Sequence, residues 1–280
     1  MAQSNQSNLF VRLATGLIGA PLILALLYLG PAWGWLVFVG IAAAIGAFEL
    51  FGMTHPGDRV SQAIGSMLTV AVIGALWSFG TDAKVLLTLL VAAPIVGMLL
   101  VLWRLGDIHT AAVRVMANTF GPLYVGGGLA AVTLLRRDGN MAGPHDGASF
   151  VVLALMLSWL SDTGAYFAGR FLGKHKLYEA VSPKKTVEGA IGGLGGALVG
   201  ALSAHYLFLP SLPLVHAVLL ALVAGALGQA GDLGESLIKR SFNVKDSGGI
   251  VPGHGGILDR VDALLVTGTI TYLYVLWTRM

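Results

Sequence analysis

Residues 229–262 read QAGDLGESLIKRSFNVKDSGGIVPGHGGILDRVD, and they lie between two strongly apolar segments, LVHAVLLALVAGALGQA at 214–230 and VDALLVTGTITYLYVLWT at 261–278. The stretch holds five carboxylates and five cationic or imidazole side chains among many glycines. A membrane-crossing helix needs about 20 predominantly apolar residues, and the flanking segments are of that kind. A charged, glycine-rich loop pressed between two spans suits a site that handles phosphate and metal at a bilayer surface.

The rest of the chain is built for lipid. Its 280 residues are 56% hydrophobic and only 11% charged, with a mean hydropathy of +0.80. A soluble domain carries about 25% charged residues, so too little polar surface exists here to cover a water-soluble globule. Nine candidate spans are read at 12–30, 34–52, 62–80, 85–103, 115–135, 149–168, 188–208, 214–230 and 261–278. The expected fold is all-α, a polytopic membrane helix bundle. Residues 1–140 form its N-terminal scaffold, open to lipid entry or dimer contact. Residues 141–280 form a catalytic region with charged loops at 169–187 and 231–260. The polar start before the first apolar run reads as an uncleaved first span. With the N-terminus placed in the cytoplasm, 13 of the 17 Lys and Arg fall on that side, leaving Lys84, Arg136, Arg137 and Arg279 opposite. That split follows the positive-inside rule and puts both charged loops on the cytoplasmic face. The seventh segment, GAIGGLGGALVG, spaces its glycines for close helix packing within the bundle or between subunits.

The candidate chemistry sits at segment ends. Asp232 and Glu235 are i,i+3 and share a helical face, with Lys239 four residues beyond Glu235. An ordinary i,i+4 pair would explain Glu235 and Lys239. It would not explain why Asp232 directly follows an apolar run, where a carboxylate is expensive and usually paired or metal-bound. Asp259 and Asp262 repeat the i,i+3 pattern at the start of the last segment, where the helix dipole favours negative charge. Two pairs of carboxylates at facing helix ends suit a hard divalent cation such as Mg²⁺, which binds through one or two carboxylates plus substrate phosphates. Between them, Lys239, Arg240, Lys245 and Arg260 could neutralise phosphate, and Gly255 and Gly256 could let backbone N–H groups approach it. His254 is either an acid/base group or a hydrogen-bonding support. In the other charged loop, Ser182-Pro183-Lys184-Lys185-Thr186 reads as an anionic-lipid contact or as a substrate-phosphate contact, with Glu188 placed to orient Lys184. Asp162, in SWLSDTGAY, is an ionisable residue near mid-span and so a candidate for the polar cavity or the metal shell. The chain has no Cys, which excludes thiolate sites and disulfides. GxxxxGK[ST], HExxH and GxSxG are also absent.

These residues resemble the phosphatidate cytidylyltransferase (CDP-diacylglycerol synthase) family. Its C-terminal pattern is matched by Ser236, Lys239-Arg240, Lys245-Asp246, Gly248, Val251-Pro252, His254-Gly255-Gly256, Asp259-Arg260 and Asp262. Val251 is a mild variant at the aliphatic position. GDLGES, SPKKTVEG and SDTGAY resemble further family features, whereas the first five spans match by hydropathy alone. The resemblance implies transfer of a cytidylyl group from CTP to phosphatidate at the cytoplasmic face of a bacterial inner membrane, by a homodimer embedded in lipid and with no nucleic-acid partner. It further implies Mg²⁺ and leaves room for a second cation. The implied catalytic residues are Asp232, Asp259, Lys239, Arg240 and His254. The implied substrate-binding residues are Ser182, Lys184, Lys185, Lys245, Asp246, Gly255, Gly256 and Arg260. The implied metal ligands are Asp232 and Asp259, with Glu235, Asp262 and Asp162 secondary. Two other readings are weaker. An ion-coupled transporter should show polar breaks in two related halves, yet the charge here concentrates in the C-terminal half. A CDP-alcohol phosphotransferase should show DGxxAR, and Asp138-Gly139 is not followed by Ala-Arg.

Overall fold

The computed structural model describes residues 19–80, 82–140, 143–249 and 255–278. The helices are α1 (Gly19–Leu29), α2 (Ala32–Thr54), α3 (Arg59–Phe79), α4 (Ala83–Trp103), α5 (Ala111–Gly121), α6 (Gly127–Asp138), α7 (Asp146–Leu172), α8 (Val187–Leu207), α9 (Leu214–Ser241) and α10 (Leu258–Thr278). A 3-10 turn at Ile108–Thr110 leads into α5, and a π turn at Pro122–Gly126 joins α5 to α6, making one apolar span from Ile108 to Asp138. Pro122 has no N–H to continue the α ladder, which is why the span widens there. Among the described residues, eight helices are long and apolar enough to cross a bilayer. They match the second to ninth expected segments, and α1 falls inside the first. The polytopic helix bundle is therefore the observed architecture.

Apolar side chains cover both the inside and much of the outside. The core runs from Leu27 of α1 to Val275 of α10 and includes Phe51, Leu135, Phe150, Leu157 and Leu265. It crosses the 140/141 boundary, because α6 packs on α7 and α10 and α2 packs on α6 and α10. On the outside, α4 buries only Gly97 and Val101 and exposes Leu87, Leu90, Leu99 and Leu102. That surface is suited to lipid tails and not to water.

The most extensive helix pairing is α7 on α8. Gly164 and Gly169 of α7 face Gly189, Gly192 and Gly196 of α8 so closely that backbones meet. A Cβ on Gly196 would overlap the Leu160 carbonyl, and one on Gly192 would overlap Ala168. The glycines of the seventh segment thus pack inside this chain. Gly195, on the outer side of α8, has nothing near it.

The bundle is all-α as expected, with one short hairpin in a connection: residues Lys176–Tyr178 (β1) and Ser182–Thr186 (β2) pair antiparallel, with Lys176 opposite Thr186 and Tyr178 opposite Ser182. Thr186 ends β2 and caps α8, its hydroxyl accepting from the Gly189 N–H at 3.1 Å. Two expectations need correction. First, α9 does not stop at 230 but continues to Ser241. Hydropathy falls at Asp232, yet the helix continues through an i,i+4 Glu235–Lys239 pair and packing of α9 on α10. The charged connection therefore begins at 242. Second, Glu188 does not orient Lys184. Its carboxylate accepts from the backbone N–H groups of Lys174 (3.0 Å) and His175 (3.2 Å) and meets His175 Nδ1 at 2.6 Å, tying the end of α7 to the start of α8.

Because each span crosses the bundle, alternate connections share one end. That end carries Arg59, Arg104, Arg114, Arg170 and the two charged loops. Asp58 caps α3 through the Ser61 N–H (3.2 Å) and pairs with Arg104 at 2.9 Å, which holds its carboxyl well below the usual carboxylate range. Arg114 donates to the carbonyls of Arg104, Leu105 and Asp107 and so closes the end of α4. Burial, with Arg114 alongside, pulls the His55 imidazole down to about 4 and keeps it neutral.

The glycine seam has a direct test. Gly196→Val is expected to destabilise the protein by about 1–3 kcal/mol through overpacking. Gly195→Val should leave the melting temperature in detergent unchanged. Equal melting temperatures for the two variants would contradict the seam.

Candidate active site

Four elements meet at the charged end: the C-terminal half of α7, the β1–β2 hairpin, the last turns of α9 and the first turn of α10. Asp162 of α7, Ser182, Lys184 and Lys185 of β2, and Gln229 and Asp232 of α9 line one cavity of about 430 Å³. Asp162 keeps accessible surface, and that surface faces the cavity. Lys185 Nζ lies 2.8 Å from Asp232 Oδ2, an ion pair between two side chains that line the cavity. An ammonium has three donors, so this one is equipped to meet an anionic oxygen in the cavity. A second, apolar groove adjoins the first through Leu177, Ala190 and Gln229, and continues along Leu194, Ala226 and Leu233.

Behind the cavity lies a buried ionic knot. Lys239 Nζ is 2.6 Å from Glu235 Oε2 and 2.6 Å from Asp259 Oδ1, with the three side chains 11%, 3% and 7% exposed. The extension of α9 makes this possible, since it carries Glu235 and Lys239 to the first turn of α10. Asp259 also accepts from the Ser247 N–H at 3.0 Å and from the Gly256 N–H at 2.8 Å. The side chains expected to hold phosphate (Lys239) and metal (Asp259) are therefore engaged with each other and with the loop backbone. Gly255 adopts φ +81°, where a Cβ would also press on Asp259. Only glycine meets both demands without strain.

Asp262, one turn into α10, interacts electrostatically with Asp232, Glu235 and Asp162. The structure thus gathers the carboxylates of α7, α9 and α10. Arg260 is exposed and interacts electrostatically with Asp162. Arg240, Lys245 and Asp246 are exposed and do not line the cavity, and Arg240 donates to the Val244 carbonyl at 3.0 Å. His254 lies outside the described residues.

Two residues of the N-terminal half reach this region and were missed by the sequence reading. Tyr124, on the π turn, interacts electrostatically with Asp262, Glu235 and Asp232. The Pro122-bearing break was a legible signal, since π turns often mark functional sites. Glu49 of α2 is bonded to the 247–258 segment. It stands alone in an apolar segment, and such a residue warrants the same attention that Asp162 received.

The donor set can be tested against a divalent cation. Asp162, Asp232 and Asp262 supply only carboxylate oxygens, the ligand type that Mg²⁺ takes. Among the described residues no group of three or more His, Cys, Asp or Glu is clustered tightly enough to hold a metal alone. That is a poor all-protein cage. It fits a cation held by one or two carboxylates together with substrate phosphates.

Comparison with known proteins bears on the same region. The sequence model of the cytidylyltransferase family matches residues 10–278. A phosphatidate cytidylyltransferase of Synechocystis sp. is 34% identical over 94% of this chain and 95% of its own length. Phosphatidate cytidylyltransferases of Staphylococcus haemolyticus and Bacillus subtilis are each 47% identical, over 43% and 42% of this chain and 46% and 44% of their own lengths.

The ionic knot has a stability consequence. Lys239→Met leaves two buried carboxylates without their cation, which is expected to cost about 3–5 kcal/mol and to appear as a lowered melting temperature in detergent. An unchanged melting temperature would contradict the knot.

Proposed function

This chain belongs to the cytidylyltransferase family, and we propose that it transfers the cytidylyl group of CTP to phosphatidate, giving CDP-diacylglycerol and pyrophosphate. The observation that carries this reading is the Lys185–Asp232 ion pair. It lies at a cavity also lined by Asp162, Ser182 and Lys184, and an apolar groove adjoins that cavity. A phosphate-bearing headgroup suits the cavity and acyl chains suit the groove, so one substrate can react without leaving the bilayer. The charged end of the bundle then faces the cytoplasm, where CTP is found. The positive-inside distribution supports that orientation, and the bacterial relatives fit a cytoplasmic-membrane location.

In the reaction a phosphate oxygen of phosphatidate bonds to the α-phosphorus of CTP. The bond from that phosphorus to the bridging oxygen breaks, and pyrophosphate leaves with the electron pair. The protein's task is to position the two phosphates in line and to neutralise charge. Lys185, with Ser182 and Lys184 on the same strand, holds phosphate oxygens. Arg260 adds positive charge near Asp162. Asp232 and Asp262, with Asp162 beside them, would hold Mg²⁺ through one or two carboxylates. When bound there, Mg²⁺ would supply positive charge that offsets the charge of the phosphates. Asp259, with Lys239, fixes the loop that carries Gly255 and Gly256. A homodimer would use a lipid-facing surface other than the glycine seam, because those glycines pack between α7 and α8.

The test is incorporation of labelled CTP into lipid by the purified protein with phosphatidate and Mg²⁺. Wild type is expected to form labelled lipid, and Asp232→Asn to lose roughly 10²-fold or more in kcat while staying folded. No lipid product from wild type would overturn the function. Full activity in Asp232→Asn would overturn the assignment of the cavity.

A further inference from the structure

The carboxylate of Glu49, on α2, reaches the start of α10, some two hundred residues away in sequence. The residue is 6% exposed. Its Oε1 accepts from the Ile257 N–H at 3.1 Å, and its Oε2 accepts from the Leu258 N–H at 2.9 Å and the Ser247 hydroxyl at 3.2 Å. Leu258 is the first residue of α10. The first N–H groups of a helix have no partner within it, and the helix dipole favours an anion there. A Ser, Thr, Asp or Asn immediately before the helix usually meets that need. Here the residue before α10 is Ile257, which has no polar side chain, so the cap comes from another helix.

The surroundings are shaped around this side chain. A Cβ on Gly248 or on Gly256 would overlap the Glu49 carboxylate. Ser247 is held twice, its hydroxyl by Glu49 and its N–H by Asp259. The two carboxylates therefore bracket the loop from opposite halves of the chain. A buried charge is a poor device for stability alone, and a neutral local cap would have satisfied α10. A cap from α2 does something a local cap cannot, because it fixes where α10 begins relative to the N-terminal helices.

We propose that Glu49 is a positioning residue for nucleotidyl transfer. By capping α10 and gripping Ser247, it sets Asp262 of α10 in register with Asp232 of α9 and holds the Gly255-Gly256 turn in place. Its kinetic consequence rests on the cytidylyltransferase reading, whereas its structural consequence does not.

The experiment pairs amide hydrogen exchange with steady-state kinetics on the full-length protein, comparing wild type, Glu49→Gln and Glu49→Asp. Glu49→Gln keeps the shape but replaces one acceptor oxygen with a donor. It is expected to speed exchange in the 255–262 segment by about 10-fold or more while the other helices keep their protection. Its kcat should fall by about 10-fold or more, with KM for CTP changed much less, since a small misplacement of reacting groups is felt mainly in the chemical step. Glu49→Asp keeps the charge one methylene short and should fall between the two. The proposal is overturned if Glu49→Gln exchanges like wild type, or if kcat per folded molecule is unchanged and only the melting temperature drops. If wild type forms no labelled lipid, the cytidylyltransferase reading fails. The exchange result then decides the proposal alone, and wild-type protection in Glu49→Gln overturns it.

Discussion

The ammonium of Lys239, held at 2.6 Å by both Glu235 and Asp259, is the contact on which the site depends. Carboxylates from α7, α9 and α10 converge at one end of an apolar bundle, where uncompensated charge is costly. Lys239 neutralises part of that charge from within the bundle and joins α9 to α10 as it does so. Asp259 can then use its remaining acceptor capacity on the Ser247 and Gly256 N–H groups, which organises the loop. With Glu235 and Asp259 paired, Asp232 and Asp162 are left lining the cavity. Lys185 faces them from the hairpin, its ammonium 2.8 Å from Asp232. One cation is structural and the other is presented to the cavity. Their different burial and bonding separate two roles that look alike in sequence.

The architecture follows from the same economy of polar groups. Lipid-facing helices such as α4 can be apolar all round, and α7 and α8 approach through glycines. The polar groups are concentrated where the charged connections meet. The π turn at Pro122–Gly126 and the carboxylate of Glu49 bring the N-terminal helices to that end as well. The first half of the chain thus contributes contacts to the site region in addition to a scaffold.

Most of the bundle was legible in the sequence because hydropathy reports spans directly. What hydropathy cannot see is a helix that continues past its apolar part. The segment 214–230 was read as ending where Asp232 begins, and the helix runs on to Ser241 because its charges pair at i,i+4. The hairpin at 176–186 was hidden for a related reason. Its strands are short and polar, and their pairing depends on the approach of α7 and α8. Within the site, the residue types were legible and their tasks were not. Lys184, Lys185, Lys239 and Arg240 form two similar dibasic pairs in sequence. Only the fold shows that Lys239 is enclosed, Arg240 bonds a loop carbonyl and Lys185 enters the cavity. Glu49 was missed because its partners lie some two hundred residues away, although a lone carboxylate inside an apolar span was itself the signal.

The central claim is that the hairpin and α9 form a single site through Lys185 and Asp232. A double-mutant cycle on kcat/KM for CTP, with Lys185→Met, Asp232→Asn and the pair, tests it most directly. If the two side chains serve one cavity, the double variant is expected to be little worse than the worse single variant. Losses that multiply as though the residues were independent would contradict the account.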